Sequence, residues 1–342
     1  MSDQNFQQIQ DLGFAKLIEK FEAYSGFQNK ELLKGIGDDA SIIKQKDGFV
    51  SCTSAEIFLE GVHFDLTYTP FHYLGYKIVT AAVSDIYAMN AIPDQLLISV
   101  AIPNKYSVQM MEKLYEGIDK ACKEYKIQLS GGDTTASHHI LAISATVTGT
   151  VQEEEVIYRS GAKENDIVCV TGDLGGALAG LRILLREKKA WEESNQEQHF
   201  QPDLEKYDKV VKRQLVPIAR KDFIEAIHQS EIKPNAMLDV TQGLIADLTR
   251  LGKESNLGLE IYAPAVPIAI ETRSVADEMN EDVDKYAFYG GEDFEMLFTI
   301  PEPLVEKMKA DFDDFVVIGK MVEKNKKLTI NSGEEETYQF DI

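Results

Sequence analysis

The chain has 342 residues, 44% of them apolar, which is enough for two ordinary domains with a hydrophobic core each. Acidic residues outnumber basic ones, 57 to 35, giving a formal net charge of −22. This charge disfavours unaided binding to nucleic acid or to anionic membranes.

The sequence also predicts a cytoplasmic protein. No apolar run approaches the roughly 20 residues of a membrane span, and the first residues lack the basic and apolar regions of an export signal. Cys52, Cys122 and Cys169 are dispersed and form no Cys-x-x-Cys pair, which fits a reducing compartment. We therefore expect no membrane partner and no nucleic-acid partner.

The first half of the chain predicts a mixture of helices and strands. Apolar residues at helical spacing predict helices over 12–24, 72–89 and 106–125. Apolar and β-branched runs predict strands over 41–43, 49–58, 95–102 and 140–151. A short strand over 127–129 is predicted to end in a Gly-Gly-Asp loop.

A domain boundary is predicted after residue 151, because residues 152–166 are polar and lose the apolar periodicity. The next strand and helix are predicted over 167–171 and 177–186. The polar residues 187–208 are predicted to form a surface insertion. Later helices are expected near 217–229 and 242–254, and strands near 258–262, 294–300, 315–319 and 327–330.

Carboxylates stand beside glycines or a serine in four segments that join an apolar element to a loop. These segments are Gly35 to Ala40, Ser84-Asp85, Gly131 to Thr135 and Gly290 to Asp293. Backbone at such junctions can approach a phosphate closely. One segment alone indicates a turn, but four oxygen-rich segments in one chain favour Mg²⁺, which usually accompanies phosphate.

The common nucleotide-binding loops are absent from the sequence. Gly35-x-Gly37-x-x-Ala40 matches a dinucleotide fingerprint in form, but no apolar strand precedes it. No segment satisfies the P-loop pattern, and the ordered protein-kinase signatures are missing. Phosphoryl transfer by this chain requires another scaffold.

His63 lies between large apolar residues, and two interpretations stay open. A lone histidine is more often buried and hydrogen-bonded for structural reasons, whereas the functional alternative is a polar contact with a phosphate. His138-His139 has no cysteine or carboxylate at zinc spacing and is assigned no metal.

Eight ordered segments carry a resemblance that covers nearly the whole chain. They are GIGDDA (35–40), EGVHFD (60–65), LGYK (74–77), SDIYAMNA (84–91), GGDTT (131–135), RSGAKENDIVCVTGDLG (159–175), DVTQGL (239–244) and GGEDFEML (290–297). This set resembles the thiamine-monophosphate kinase family, in the superfamily of aminoimidazole ribonucleotide synthetase, selenophosphate synthetase and the hydrogenase maturation dehydratase. The cysteines expected of the last two relatives are missing.

The resemblance implies an α+β, two-domain aminoimidazole ribonucleotide synthetase-like fold. The N-terminal domain (1–151) would bind ATP and Mg²⁺ and form a shared β-barrel in a homodimer, and residues 152–342 would form a C-terminal α/β domain. It also implies direct transfer of the γ-phosphoryl group of ATP to thiamine monophosphate, which gives thiamine diphosphate.

Site residues follow from the resemblance by position. The implied catalytic residues are Asp85, Asp133 and Asp239. The implied metal ligands are Asp39, Ser54, Glu56, Asp85, Asp133, Asp239 and Gln242. The implied ATP contacts are Tyr115, Gly132, Asp133, Arg159 and Thr241. The implied substrate contacts are His63, Glu292 and a C-terminal aromatic residue, Phe340 or Tyr338.

Three positions at or near metal ligands depart from the family pattern. Ala55 and Glu56 replace a threonine and an aspartate, and Gln242 replaces an aspartate. A longer arm and a neutral amide should weaken or shift a metal position, because Mg²⁺ demands near-ideal octahedral geometry. Three hypotheses remain: an active kinase, a paralogue that binds nucleotide or a phosphorylated heterocycle without this activity, and another small-molecule reaction of the superfamily.

Overall fold

The structure is a computed structural model that describes residues 8–24, 26, 29–194, 202–230, 232–323, 327–333 and 336–342. Its strands form one sheet of six and one sheet of seven. The strands of the first sheet lie between residues 32 and 152, and those of the second between 167 and 341. The mixture of helices and strands is as predicted.

The first sheet has the strand order β1-β2-β3-β6-β4-β5. Its strands are β1 (Leu32–Lys34), β2 (Ser41–Lys44), β3 (Phe49–Leu59), β4 (Ile92–Pro103), β5 (Gln128–Ser137) and β6 (Ala142–Gln152). The helices of this half are α1 (Ile9–Leu12), α2 (Phe14–Glu22), α3 (Phe71–Ala88) and α4 (Val108–Tyr125). Only β4 and β5 pair in parallel.

The second sheet has the order β13-β12-β9-β11-β7-β10-β8. Its strands are β7 (Ile167–Thr171), β8 (Ala236–Asp239), β9 (Gly258–Tyr262), β10 (Met296–Ile300), β11 (Phe315–Val322), β12 (Lys327–Asn331) and β13 (Thr337–Asp341). Its helices are α5 (Gly176–Glu193), α6 (Asp208–Leu215), α7 (Lys221–Gln229), α8 (Leu244–Ser255), α9 (Ile270–Met279), α10 (Val283–Tyr289) and α11 (Val305–Asp311).

Helix α3 occupies the centre of the molecule. Every residue from Leu74 to Ala88 is buried, because α3 contacts β3 and β6 on the first sheet and β8 on the second. One apolar core continues across this helix, from Ile42 in β2 to Phe298 in β10. The packing places the C-terminal end of α3 beside the C-terminal end of β8.

Two local predictions are wrong. The predicted loop at 131–133 is part of β5, because these residues pair with β4 from Leu97 onward. The predicted polar insertion over 187–208 is helical up to Glu193 and includes the buried Tyr207, while its residues 195–201 lie outside the described part of the chain. Strands β1, β8 and β13 and helices α6, α9, α10 and α11 were not predicted.

The three cysteines are free and buried, which agrees with the absence of a disulfide framework. None of the helices in the described ranges combines the length and apolar character needed to cross a bilayer.

Candidate active site

Three aspartates from distant parts of the chain meet where α3 and β8 come together. Each of Asp39, Asp85 and Asp239 offers a carboxylate oxygen, and these oxygens lie within 4.8 Å of one another. Asp39 precedes β2, Asp85 is in the last turn of α3, and Asp239 ends β8. Their exposed fractions are only 8%, 9% and 2%. The arrangement concentrates negative charge in a site that water barely reaches.

Hydroxyl groups and one arginine hold these carboxylates in place. The Ser54 hydroxyl donates a hydrogen bond to Asp85, and the Ser84 hydroxyl donates to Oδ2 of Asp239 over 2.5 Å. The guanidinium of Arg159 donates to Oδ1 of Asp39. The Ser84 contact joins α3 to β8, so the two halves of the molecule are bonded to each other inside the site.

The site carries more negative charge than its own cations neutralise. Burial first, and neighbouring carboxylates second, raise the pKa of Asp85 and of Asp239 well above the ordinary value. The same two causes raise the pKa of Asp38 to about 6. Oδ2 of Asp38 and Oδ2 of Asp39 are buried without a hydrogen-bond partner. Carboxylate oxygens are hard metal donors, and a cluster of them whose negative charge is not balanced by nearby cations fits Mg²⁺.

Glu56, one of the departures from the family pattern, still reaches this cluster. It is half-buried on β3, and its carboxyl group forms a hydrogen bond with Asp85. Burial raises the pKa of Glu56, and repulsion from Glu292 adds to the rise. Gln242 differs, because its side chain is exposed. The two substitutions therefore have different structural consequences.

Asp247 is a site residue that the sequence reasoning missed. Its carboxylate is fully buried and accepts hydrogen bonds from the backbone N–H groups of Thr241 and Gln242, over 3.2 and 3.1 Å. Burial raises the pKa of Asp247 to about 7. The available signal was an acidic residue in the first turn of a helix, α8, where a carboxylate commonly accepts from free N–H groups.

The Gly-Gly-Glu-Asp loop packs directly against the segment that carries Thr241. The N–H of Glu292 donates to the carbonyl of Thr241 over 3.1 Å. Gly291 has φ = +71°, and a Cβ there would lie 2.5 Å from that carbonyl, so the contact requires glycine. Oε2 of Glu292 pairs with Nζ of Lys77 at 3.0 Å, and the Lys77 side chain is only 4% exposed. Glu292 is thereby fixed near Glu56.

His63 is exposed, so the structure places it on the surface and not in the core. Its Nδ1 accepts a hydrogen bond from the N–H of Leu59 over 3.0 Å, which leaves Nε2 directed to other groups. Glu60 anchors the same loop, since it accepts from Lys105 and Tyr106 over 2.6 Å and from the N–H of Leu141 over 2.8 Å.

Asp133 is not brought to the three aspartates within one chain. On β5, Asp133 pairs with Ser99 of β4, and Ser99 in turn pairs with Ser144 of β6. The side chains of these three residues lie on the exposed face of the sheet. Residues that pair directly across neighbouring strands share one face of the sheet. By this rule Ser54 and Glu56 lie on the face opposite to Asp133, which is the face toward α3.

The neighbouring ATP candidates lie on the same part of the first sheet and on α4. A Cβ on Gly132 would lie 1.7 Å from the carbonyl of Ile98, so only glycine allows this strand pairing. Tyr115 is half-buried on α4 and packs against the core. Among the described residues, no hydrogen bond joins Asp133, Gly132 or Tyr115 to the aspartate cluster.

Phe340 is also separated from the cluster. It is on β13, and Asp239 ends β8, at opposite edges of the seven-stranded sheet. Six strand spacings of about 4.8 Å separate these edges. Phe340 packs against the core around α8, while Tyr338 is 53% exposed on the same strand. The C-terminal aromatic residues are therefore not at this site within one chain.

Comparisons with known proteins define the class of fold first. Residues 37–151 match the family described as AIR synthase related protein, N-terminal domain, and residues 163–331 match the corresponding C-terminal domain. The structure of AaThiL complexed with AMPPCP and TMP superposes with a TM-score of 0.81 at 27% identity, over 98% of this chain and 99% of that one. The fold is thus that of the AIR synthase related proteins, as the resemblance implied.

Curated relatives narrow the class to one family. The thiamine-monophosphate kinase of Bacillus subtilis is 32% identical over 277 residues, which are 81% of this chain and 80% of that protein. The enzyme of the same name from Aquifex aeolicus is 33% identical over 269 residues, 79% of this chain and 81% of that protein. The chain belongs to the thiamine-monophosphate kinase family.

Proposed function

We propose that the chain transfers the γ-phosphoryl group of ATP to thiamine monophosphate and releases thiamine diphosphate and ADP. One observation carries the proposal: three buried aspartates from segments of the family pattern converge within 4.8 Å. The solved relative with AMPPCP and TMP supports the same pair of substrates. Thiamine monophosphate and ATP are therefore the proposed small-molecule partners.

The residues of the chain have separate roles in this proposal. Asp39, Asp85 and Asp239, with Ser54 and Glu56, would hold Mg²⁺, which supplies charge neutralisation and alignment of phosphate oxygens when bound. Arg159 keeps Asp39 in position and presents a guanidinium edge suited to a phosphate. Because an acceptor phosphate is already anionic near neutral pH, the site needs no strong general base.

The acceptor would be held at the edge formed by His63 and Glu292. The Leu59 N–H fixes the His63 ring through Nδ1, so Nε2 can donate to a phosphate oxygen. Glu292 is held by Lys77, and this pair would orient the organic part of the acceptor. Thr241, held by Asp247 through its backbone, would lie at the triphosphate side.

We further propose a homodimer with a shared β-barrel, built from the N-terminal domains (1–151), with 152–342 as the C-terminal domain. The exposed face of the first sheet carries Ile57, Ile92 and Leu97, which are 56%, 44% and 42% exposed. Exposed apolar side chains on one face of a sheet favour a protein partner. Asp133 lies on this face, so it would enter the site of the partner subunit.

Product formation tests the activity. Purified protein with ATP, Mg²⁺ and thiamine monophosphate should form thiamine diphosphate and ADP in equal amounts, and chelation of Mg²⁺ should stop the reaction. If no product forms while ATP and Mg²⁺ still raise the melting temperature, the chain is a binding paralogue and the proposal is wrong.

Subunit mixing tests the role of Asp133. Asp133→Ala and Asp239→Ala should each be inactive alone. If Asp133 acts in the partner's site, a mixed dimer contains one intact site, and random 1:1 mixing should restore about a quarter of wild-type activity. A mixture that stays inactive, although mixed dimers are present by mass spectrometry, would place both residues in the same subunit's site.

A further inference from the structure

The loop between α10 and β10, residues 290–295, has an unusual backbone conformation. Glu292 and Phe294 have φ of +57° and +54°, a left-handed region that residues other than glycine rarely adopt. Such a conformation costs free energy and persists only where the surrounding contacts impose it. Since Glu292 is a proposed acceptor contact, the residues that impose this conformation also determine where Glu292 lies.

Arg213 of α6 anchors this loop through both of its other acidic side chains. Its Nη1 donates to Oε1 of Glu295 over 2.8 Å, and its Nη2 lies 3.6 Å from Oδ1 of Asp293. The same Nη2 donates to the carbonyl of Asp173 over 2.7 Å. Both carboxylates are almost completely buried. One guanidinium group thus fixes the loop against the segment that precedes α5.

The two buried carboxylates also have partners that do not depend on Arg213. Asp293 accepts from two backbone N–H groups at the start of α5, over 2.8 and 3.3 Å. Glu295 accepts from Nη1 of Arg220 over 2.9 Å and from the Thr171 hydroxyl over 2.7 Å. Neither carboxylate is left without a donor when Arg213 is removed. We therefore expect removal of Arg213 to loosen the loop and not to unfold the domain.

The loop connects this anchor to the candidate active site in two ways. The Glu292 carboxylate pairs with a buried lysine of α3 at 3.0 Å. Along the backbone, the N–H of Phe294 donates to the carbonyl of Val240 over 3.1 Å, and the N–H of Val240 donates to the carbonyl of Glu295 over 2.8 Å. Val240 directly follows Asp239. A shift of the loop would therefore move an acceptor contact and a proposed metal ligand together.

We propose that Arg213 is a positioning residue, which holds the 290–295 loop in the conformation that presents Glu292 to the phosphate acceptor. The inference rests on the proposed kinase function. Arg213 acts through Asp293 and Glu295 and has no contact with the reacting groups. Lysine replaces it only in part, because the planar guanidinium reaches both carboxylates and the neighbouring carbonyl at once.

Chemical rescue tests the role of the guanidinium group. A cavity of about 490 Å³ is lined by Arg213, Arg220 and Glu295, so a small cation can reach the space that Arg213→Ala leaves. Arg213→Ala should lower kcat for thiamine diphosphate formation roughly tenfold or more, because a displacement of about 1 Å in a catalytic array costs up to about 100-fold. Guanidinium chloride at millimolar concentrations should restore much of the loss, and methylammonium should restore less.

Two further variants separate positioning from a purely structural role. Arg213→Lys should melt close to the wild type and have an intermediate kcat. Arg273→Ala, which removes an exposed arginine of α9, should keep the wild-type kcat and show no response to guanidinium. If Arg213→Ala only melts at a lower temperature, while kcat per folded molecule is unchanged, the inference is overturned.

Hydrogen exchange measures the anchoring without reference to activity. The N–H groups of Glu292 and Phe294 donate to backbone carbonyls of the segment after β8. Peptides that cover 290–295 should therefore exchange faster in Arg213→Ala than in the wild type, and guanidinium should restore the protection. Peptides from β6 should exchange equally in both proteins. Unchanged exchange over 290–295 would overturn the inference.

Failure of the proposed function is distinguishable from failure of the inference. If the wild-type protein forms no thiamine diphosphate, the proposed function fails, and the exchange experiment alone decides whether Arg213 anchors the loop. If the wild type is active and Arg213→Ala keeps the wild-type kcat, the inference fails and the proposed function stands.

Discussion

Replacement of Asp239 by asparagine should stabilise the metal-free protein and abolish its activity. Asp239 is 2% exposed, and carboxylates of Asp39 and Asp85 lie within 4.8 Å of it. Two unit charges at that separation repel by about 3.5 kcal/mol at an effective dielectric constant near 20. Partial protonation and the positive charge of Arg159 relieve much of this repulsion. We therefore expect a net gain of about 1–3 kcal/mol in the free energy of unfolding.

Asparagine keeps the local hydrogen bond, since its carbonyl oxygen can accept from Ser84, as Oδ2 of Asp239 does over 2.5 Å. Thermal unfolding in the presence of a chelator measures the effect. For domains of 150–250 residues, 1 kcal/mol corresponds to about 2–4 °C in Tm, so Asp239→Asn should melt several degrees above the wild-type protein. The surface variant Asp94→Asn, whose carboxylate accepts from Thr148 over 2.7 Å, should melt like the wild type.

The pH dependence of folding stability tests the same electrostatic argument. Because the folded-state pKa of Asp239 is raised, the folded protein retains a proton that the unfolded chain releases above about pH 4. Wild-type stability in chelator should therefore fall as the pH rises above about 4 toward the raised folded-state pKa, and Asp239→Asn should flatten this fall. A variant that melts below the wild type at pH 8, or that gains as much stability from Mg²⁺ and ATP as the wild type does, would refute the electrostatic reasoning.

Three further variants test other parts of the site. Lys77→Met removes the partner of Glu292 and should raise KM for thiamine monophosphate roughly tenfold, about 1.4 kcal/mol of binding, while KM for ATP stays constant. Gly132→Ala places a Cβ 1.7 Å from the Ile98 carbonyl and should disrupt β5 and lose activity, whereas Gly131→Ala, which shares the positive φ but has no atom nearer than 3.7 Å, should lose less folded structure by circular dichroism. Glu56→Asp combined with Gln242→Asp should increase Mg²⁺-dependent turnover several-fold, because the pair restores the charge and length of the family's metal ligands. Unchanged or lower turnover would show that these two positions do not limit Mg²⁺ binding.

Much of the secondary structure follows from local sequence, and the exceptions have physical causes. Strand β7 was predicted with its observed bounds, Ile167–Thr171, because an apolar β-branched run stands between two turn-forming segments. β5 was misassigned at 131–133, since Gly-Gly-Asp favours a turn locally and only pairing with β4 makes it a strand. β8 has four residues, all buried, and is too short to show a period.

The candidate site was predictable in part. Motif order indicated Asp39, Asp85 and Asp239, and the structure brings these three together. In the sequence, Asp247 resembles a solvent-exposed helix residue, because only the structure shows its burial and the hydrogen bonds that it accepts from the preceding loop. The position of Asp133 was not predictable either, since the face to which a strand residue points depends on register with its neighbours.

The hydrogen bond from Ser84 to Asp239 means that neither half of the molecule possesses a complete site. A cut in the segment 152–166 would leave two carboxylates on one fragment and the third on the other. The apolar core around α3 would hold the fragments together, while repulsion between their carboxylates would oppose that association until a cation neutralised it. Binding of Mg²⁺ with a triphosphate should therefore strengthen the association of the two halves.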